Sequence, residues 1–172
     1  MKDPRLNTSF IFFFIIQTVF NFQLTFSQVV TEEEINTHFN DALTLFNAGK
    51  YEESLDLFTK FLADYNYNSK TTAAEFFKAK IHLVLKQLDQ FKYTADQFFE
   101  LYPNSNYIDE IRMLQVKYYL EIANYYNAFK EVLTSIENTK SSSYEEKAKR
   151  IGEGIASKYL SETQLEKFYS SV

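Results

Sequence analysis

The sequence of 172 residues contains no cysteine and no tryptophan, and it has only three glycines and two prolines. Without cysteine the chain can form no disulfide, no thiol nucleophile, no thiolate zinc site and no acylated lipoprotein cysteine. The shortage of glycine and proline leaves little material for β-turns, which favours long helices over a β-sandwich or barrel. The composition therefore predicts an all-α protein that is stabilised by packing alone.

A stripe of basic residues is also missing. The formal net charge is −5, and an acidic chain without clustered lysine and arginine is a poor match for a phosphate backbone or an anionic membrane surface. We therefore expect no nucleic-acid partner and no membrane insertion of the mature chain.

The N-terminal segment, residues 1–27, has the pattern of a signal peptide. Lys2 and Arg5 precede the apolar run FIFFFIIQTVF at 10–20, and the small residues Thr25 and Ser27 occupy the −3 and −1 positions of a cleavage site. This pattern predicts cleavage directly after Ser27 and export, in a bacterial cell to the periplasm.

The alternative is an uncleaved N-terminal anchor with the rest of the chain facing the periplasm. A membrane-spanning helix needs about 20 apolar residues. Here Gln17, Asn21 and Gln23 interrupt the apolar run, which favours a cleaved signal. Both alternatives deliver the remaining chain outside the cytoplasm.

Three segments align without gaps at a spacing of 37 residues, as units 35–71, 72–108 and 109–145. Within each unit, four positions recur at spacings of three, four and three, which places them on one helical face. The matched sets are Tyr51, Leu88 and Tyr125; Ser54, Phe91 and Ala128; Phe58, Ala95 and Val132; and Phe61, Phe98 and Ser135. This pattern predicts one antiparallel helix hairpin per unit, with Phe58 and Phe98 packed inside the first two.

The first unit combines a small residue, Ala42, with a glycine turn at Gly49 and then Tyr51. The small residue allows two helices to approach closely, and glycine suits the helix-ending position that needs positive φ. The second unit has Lys86 in place of the turn glycine and ends in LYPNS at 101–105. These features resemble the tetratricopeptide repeat, and the YPNS ending resembles that of periplasmic tetratricopeptide proteins of outer-membrane assembly and the Tol–Pal system.

The resemblance covers about residues 32–140. It implies a right-handed superhelix of about three hairpins over residues 28–140, followed by C-terminal capping helices at 141–172 that cover the open end. Four capping boxes predict helix starts, at Thr31, Thr72, Ser143 and Ser161. The predicted helices are 32–48, 51–65, 72–87, 89–102, 107–123, 125–137, 144–159 and 162–170.

Residues with catalytic or metal-binding chemistry are sparse. His38 and His82 are the only histidines, and neither has a partner at a recognisable metal spacing. The serines at 141–143 read as a linker that ends in a helix cap. Gly152 and Gly154 lack a following phosphate-loop lysine, so they indicate a kink or a close helix contact. We therefore expect no enzymatic activity, no cofactor and no metal site.

The resemblance further implies that the first helix of each hairpin lines a groove for an extended or helical peptide. By matching positions, the implied groove residues are Phe39, Leu43, Phe46 and Asn47 in the first unit, Phe76, Lys80, Leu83 and Val84 in the second, and Met113, Lys117, Leu120 and Glu121 in the third.

Lys80 and Lys117 occupy equivalent positions and would suit a carboxylate of the partner. The tyrosine pairs at 118–119 and 125–126 offer a second surface, because adjacent aromatic residues on a helix cannot all face one core.

The sequence thus predicts a non-catalytic, exported scaffold or adaptor that binds a protein or peptide partner in the cell envelope, for example in envelope assembly. The alternative is a helical accessory module of a solute-binding, transport or cell-wall enzyme system.

Overall fold

A computed structural model describes residues 30–170 of the chain. The predicted signal segment, 1–27, lies outside the described residues. The described part is all-helical and contains eight helices and no strand, as the composition predicts. Along the chain they are α1 (Glu32–Asn47), α2 (Tyr51–Asp64), α3 (Thr71–Val84), α4 (Leu88–Leu101), α5 (Ile108–Glu121), α6 (Tyr125–Asn138), α7 (Ser142–Tyr159) and α8 (Glu162–Tyr169).

The helices pack mainly against their sequence neighbours. The pairs α1–α2, α3–α4 and α5–α6 form three hairpins, and α7 packs against α6. Across hairpins, α2 contacts α3, and α5 contacts both α3 and α4. No helix within residues 30–170 has the length and apolar character needed to span a bilayer.

The predicted bounds agree with the observed helices to within one residue, except at the start of α7, which begins at Ser142 and not at 144, and at the C-terminal ends of α3 and α5. We predicted that these helices continue to residues 87 and 123, but they end at Val84 and Glu121. Lys86 and Ala123 have positive φ values of 58° and 54°, close to the 76° of Gly49. A residue in this left-handed conformation cannot continue a right-handed helix, so the helices stop short of it.

The positive-φ turns at Gly49, Lys86 and Ala123 repeat one hydrogen-bond pattern at a spacing of 37 residues. In each, the positive-φ residue donates its N–H to the carbonyl three residues earlier, and the next residue donates to the carbonyl five residues earlier. The bonds are Gly49 to Phe46 and Lys50 to Leu45, Lys86 to Leu83 and Gln87 to His82, and Ala123 to Leu120 and Asn124 to Tyr119. This is the Schellman helix ending, and it forms here with or without a glycine.

In each of the first two hairpins, a large side chain of the second helix and a small side chain of the first belong to the same core cluster. Phe58 and Phe98 are fully buried, which confirms their predicted positions inside the first two hairpins. Ala42 and Ala79 are also fully buried. In the first hairpin the hydroxyl of Ser54 donates to the carbonyl of Ala42 at 2.8 Å, so α1 and α2 approach closely at this point.

The helix starts agree only in part with the capping boxes. The box of Ser161 is present at the start of α8, and α1 begins directly after Thr31. The box at Ser143 is wrong, because Ser141 accepts from the backbone N–H of Tyr144 and caps α7. The box at Thr72 is also wrong, because α3 begins one residue earlier without a side-chain cap. Ser141 is followed three positions later by Tyr144 and not by a glutamate or glutamine, so the capping-box pattern does not identify it.

Gly152 marks a close contact between α7 and α6, one of the two interpretations of the glycine pair. A Cβ atom at this position would lie 3.0 Å from Cγ1 of Val132 and 3.6 Å from the ring of Phe129. A Cβ atom at Gly154 would meet nothing within 4 Å. Only the first glycine is therefore required by packing.

Candidate functional site

The helices α3 and α5, which begin the second and third hairpins, line an open groove with a volume of about 500 Å³. Its floor is apolar and its rim carries charges. The lining residues are Lys80, Leu83, Val84, Lys86, Leu114, Lys117, Leu120 and Glu121.

Six of the twelve implied groove residues meet here, and all six come from the second and third units: Lys80, Leu83, Val84, Lys117, Leu120 and Glu121. The structure therefore brings together the predicted residues of the second and third units at one surface. Their binding of a partner stays a prediction.

The other six implied residues do not line this groove, and two of them, Leu43 and Phe46, pack against the core of the first hairpin. Phe39, Phe76 and Met113 are only 6%, 7% and 6% exposed and belong to the hydrophobic core. Their shared position faces the inside of the array, as the ring of Phe39 shows by packing edge-on against Phe58 at a centroid distance of 5.6 Å. These three side chains give the core its packing and offer a partner almost no surface. Asn47 is exposed, at the end of α1.

The ammonium group of Lys80 is surrounded by aromatic rings. Its Nζ atom lies 4.9 Å from the ring centre of Phe46 and 5.7 Å from those of Phe76 and Phe77. Such cation–π contacts stabilise an ammonium group that has lost part of its water. Burial, and secondly the positive charge of Lys117, lower the pKa of Lys80 from its ordinary value.

Within residues 30–170, no carboxylate forms an ion pair with Lys80 or Lys117. Lys86, by contrast, reaches from the turn after α3 to the end of α5, where its Nζ atom lies 2.5 Å from a carboxylate oxygen of Glu121. The groove therefore carries one neutralised and two uncompensated positive charges.

Lys86 and Leu114 are groove residues that the sequence interpretation missed. The sequence signal for Lys86 was that it replaces the turn glycine of the first unit. A non-glycine residue with positive φ is uncommon, so a lysine at this position could have been singled out. Leu114 corresponds to Phe77 of the second unit, a position that the resemblance did not include in the groove.

The two histidines each have a hydrogen-bonding partner. Nδ1 of the buried His82 donates to the amide oxygen of Gln87 at 2.7 Å. Nδ1 of His38 lies 2.5 Å from the hydroxyl of Tyr65, which in turn donates to Glu34 at 3.0 Å. Among the described residues, histidines, aspartates and glutamates form no group of three that could hold a metal ion.

The tyrosine pairs at 118–119 and 125–126 are divided between the core and the C-terminal helices. The ring of Tyr118 packs against Phe91. Tyr125 stacks on Tyr159 of α7 at a centroid distance of 4.1 Å, and Tyr126 stacks on Phe168 of α8 at 4.5 Å. Tyr126 keeps 36% of its surface exposed, as expected for one member of its pair, whereas Tyr118 and Tyr119 are both partly buried.

No family model matches the chain, and no curated protein matches it. The crystal structure of PcrH from Pseudomonas aeruginosa is similar to the described fold with a TM-score of 0.61. The similarity covers 77% of this chain and 99% of that chain at 10% sequence identity. At this identity the likeness concerns the fold alone, and it supports the resemblance in its coarser form: the chain has a tetratricopeptide-like helical fold.

Proposed function

We propose that the protein is a non-catalytic adaptor that binds a segment of another protein in the groove between α3 and α5, and that it does so in the cell envelope after export. The observation that carries the proposal is the groove itself, where apolar side chains form a floor between helices of successive hairpins. Grooves of this kind in helical repeat arrays fit extended or helical peptides.

The chemistry of the groove favours binding over catalysis. Its ionisable groups are three lysines and one glutamate, and the glutamate is already paired with Lys86. Neither histidine lines the groove. A partner would therefore meet apolar surface and positive charge, which suit recognition of a polypeptide segment.

Photocrosslinking at a single position tests the groove. Val84 lies in the groove with 44% of its surface exposed, and Leu101 lies on α4 outside the groove with 60% exposed. A photoreactive amino acid at Val84 should give a discrete adduct with one other protein in living cells. The same amino acid at Leu101 is the matched control and should not give this adduct. Identical adducts at both positions, or none at Val84, would show that the groove is not the binding surface.

The envelope location rests on the signal pattern of residues 1–27 and needs its own test. N-terminal sequencing of the protein from an extracytoplasmic fraction should begin at or near Gln28. Intact Met1 in a washed membrane fraction would establish an anchor. A protein found only in the cytoplasmic fraction would contradict the location and leave the groove proposal to be judged by crosslinking.

A further inference from the structure

Along its length the groove presents three sets of side chains, which we call levels: a pair of lysines, a pair of leucines and an ion pair. Their chemistry indicates which groups an occupant must carry. Lys80 and Lys117 occupy equivalent positions of α3 and α5, and so do Leu83 and Leu120. All four line the same groove, so the two helices present matching levels side by side. Three residues of an α-helix span about 4.5 Å, which is therefore the approximate separation of the lysine level from the leucine level.

The third level lies at the C-terminal ends of the two helices, where Lys86 and Glu121 form their ion pair. The two charges of this pair neutralise each other, and the pair lies at one end of the groove. A second acidic residue of a partner would meet Glu121 there, and like charges at short range are unfavourable. The uncompensated positive charge is thus confined to the lysine level.

The lysine level is positioned for an anion. Lys80 is held by the rings of Phe46, Phe76 and Phe77 without a carboxylate partner, and the nearby charge of Lys117 opposes its protonation. A carboxylate between the two ammonium groups would relieve their repulsion and form charge-assisted hydrogen bonds. The formal net charge of the sequence is −5, so the two lysines form a positive feature on an acidic chain.

We propose, building on the adaptor function above, that the groove selects a polypeptide segment that carries one acidic side chain beside a leucine-type apolar side chain. The acidic side chain lies between Lys80 and Lys117, and the apolar side chain packs against Leu83 and Leu120. The leucine level favours a polypeptide over a nucleic acid or free phosphate, because a phosphate group offers nothing to an apolar surface.

The separation of the two levels defines the spacing of the motif. In an extended segment, successive side chains point to opposite faces, and residues two positions apart share a face at a separation of about 6.6 Å. The acidic and apolar residues of an extended segment are therefore two positions apart. In a helical segment, residues three or four positions apart lie about 5–6 Å from each other. These two spacings are the ones that fit the groove.

Selection of a random short-peptide library on the purified full chain tests the motif. Enriched peptides should contain Asp or Glu beside Leu, Ile, Met or Phe at one of these spacings. The double variant Lys80→Glu/Lys117→Glu should bind the enriched peptides about tenfold more weakly or worse, the loss expected for a charged hydrogen bond. Binding to the unaltered protein should also weaken as sodium chloride is raised.

The control is a double charge reversal of equal size outside the groove, Lys60→Glu/Lys92→Glu. Both lysines lie on second helices, where each pairs with an aspartate one turn later, Asp64 and Asp96. Circular dichroism must first show that both double variants are folded. The control variant should bind the enriched peptides as the unaltered protein does.

Three outcomes would overturn the motif. The first is equal binding of the peptides by the two double variants. The second is enrichment of peptides without an acidic residue, or of none at all. The third is displacement of the peptides by inorganic phosphate alone, which would establish a simple anion site. If the crosslink at Val84 is nevertheless found, only the motif fails; if it is also missing, the adaptor function in this groove fails as well.

Discussion

The positive-φ turns at Gly49 and Ala123 allow the exchange between glycine and alanine to be tested in both directions. Gly49 and Ala123 occupy equivalent turns with φ values of 76° and 54° and the same pair of backbone hydrogen bonds. The left-handed conformation costs a residue with a Cβ atom about 1–2 kcal/mol. Glycine loses about 0.5–1 kcal/mol more conformational entropy on folding than alanine does. Because the first free-energy term is larger than the second, glycine is more favourable than alanine in these turns.

From these two terms, Ala123→Gly should raise the free energy of unfolding by about 0.5–1 kcal/mol. Gly49→Ala should lower it by a similar amount. A Cβ atom at Gly49 would meet nothing within 4 Å, so the loss would come from the backbone alone. Urea denaturation of the purified variants, followed by circular dichroism, measures both changes.

Gly154 provides the matched control. It lies inside α7, and a Cβ atom there also meets nothing within 4 Å. Without the positive φ, Gly154→Ala should stabilise the protein by up to about 1 kcal/mol. The reasoning is refuted if Gly49→Ala stabilises as Gly154→Ala does, or if Ala123→Gly destabilises by about 1 kcal/mol as a glycine in a helix interior would.

Three further predictions concern the core and one partly buried tyrosine. Gly152→Ala should destabilise by about 1–2 kcal/mol in urea denaturation, because its Cβ atom would press on α6; a gain in stability would contradict the close contact. Phe58→Ala and Phe98→Ala should each cost about 3–5 kcal/mol, and a loss below about 1 kcal/mol in thermal melts would contradict their burial. Burial, and secondly nearby acidic groups, raise the pKa of Tyr144 from 10.0 to about 12. The folded state therefore holds this proton longer, and its stability should fall between pH 10 and about 12. Tyr144→Phe should remove that part of the fall, and parallel pH profiles of the two proteins would contradict the assignment.

The sequence by itself determined the helices, their order and the faces of the second helices. Phe58 and Phe98 were predicted inside their hairpins and are buried there. Such predictions succeed because helical periodicity is local: residues three and four apart share a face in any α-helix. Because the units repeat every 37 residues, the helical face identified in one unit could be assigned at the matching positions of the next.

The sequence was less informative about the first helices, of which α3 and α5 each contact three other helices. The resemblance placed Phe39, Phe76 and Met113 in the groove, but the structure buries them. A large apolar side chain suits a core and a peptide groove equally well by its chemistry. Only the positions of the surrounding helices determine which of the two environments it meets.

The tertiary structure alone decided where α3 and α5 end and what closes the groove. Lys86 and Ala123 have no intrinsic preference for positive φ, yet the hairpin geometry imposes it on both. The turn then directs the side chain of Lys86 towards Glu121, 35 positions along the chain. An ion pair between residues so far apart has no local sequence signal, because it depends on how two hairpins stack.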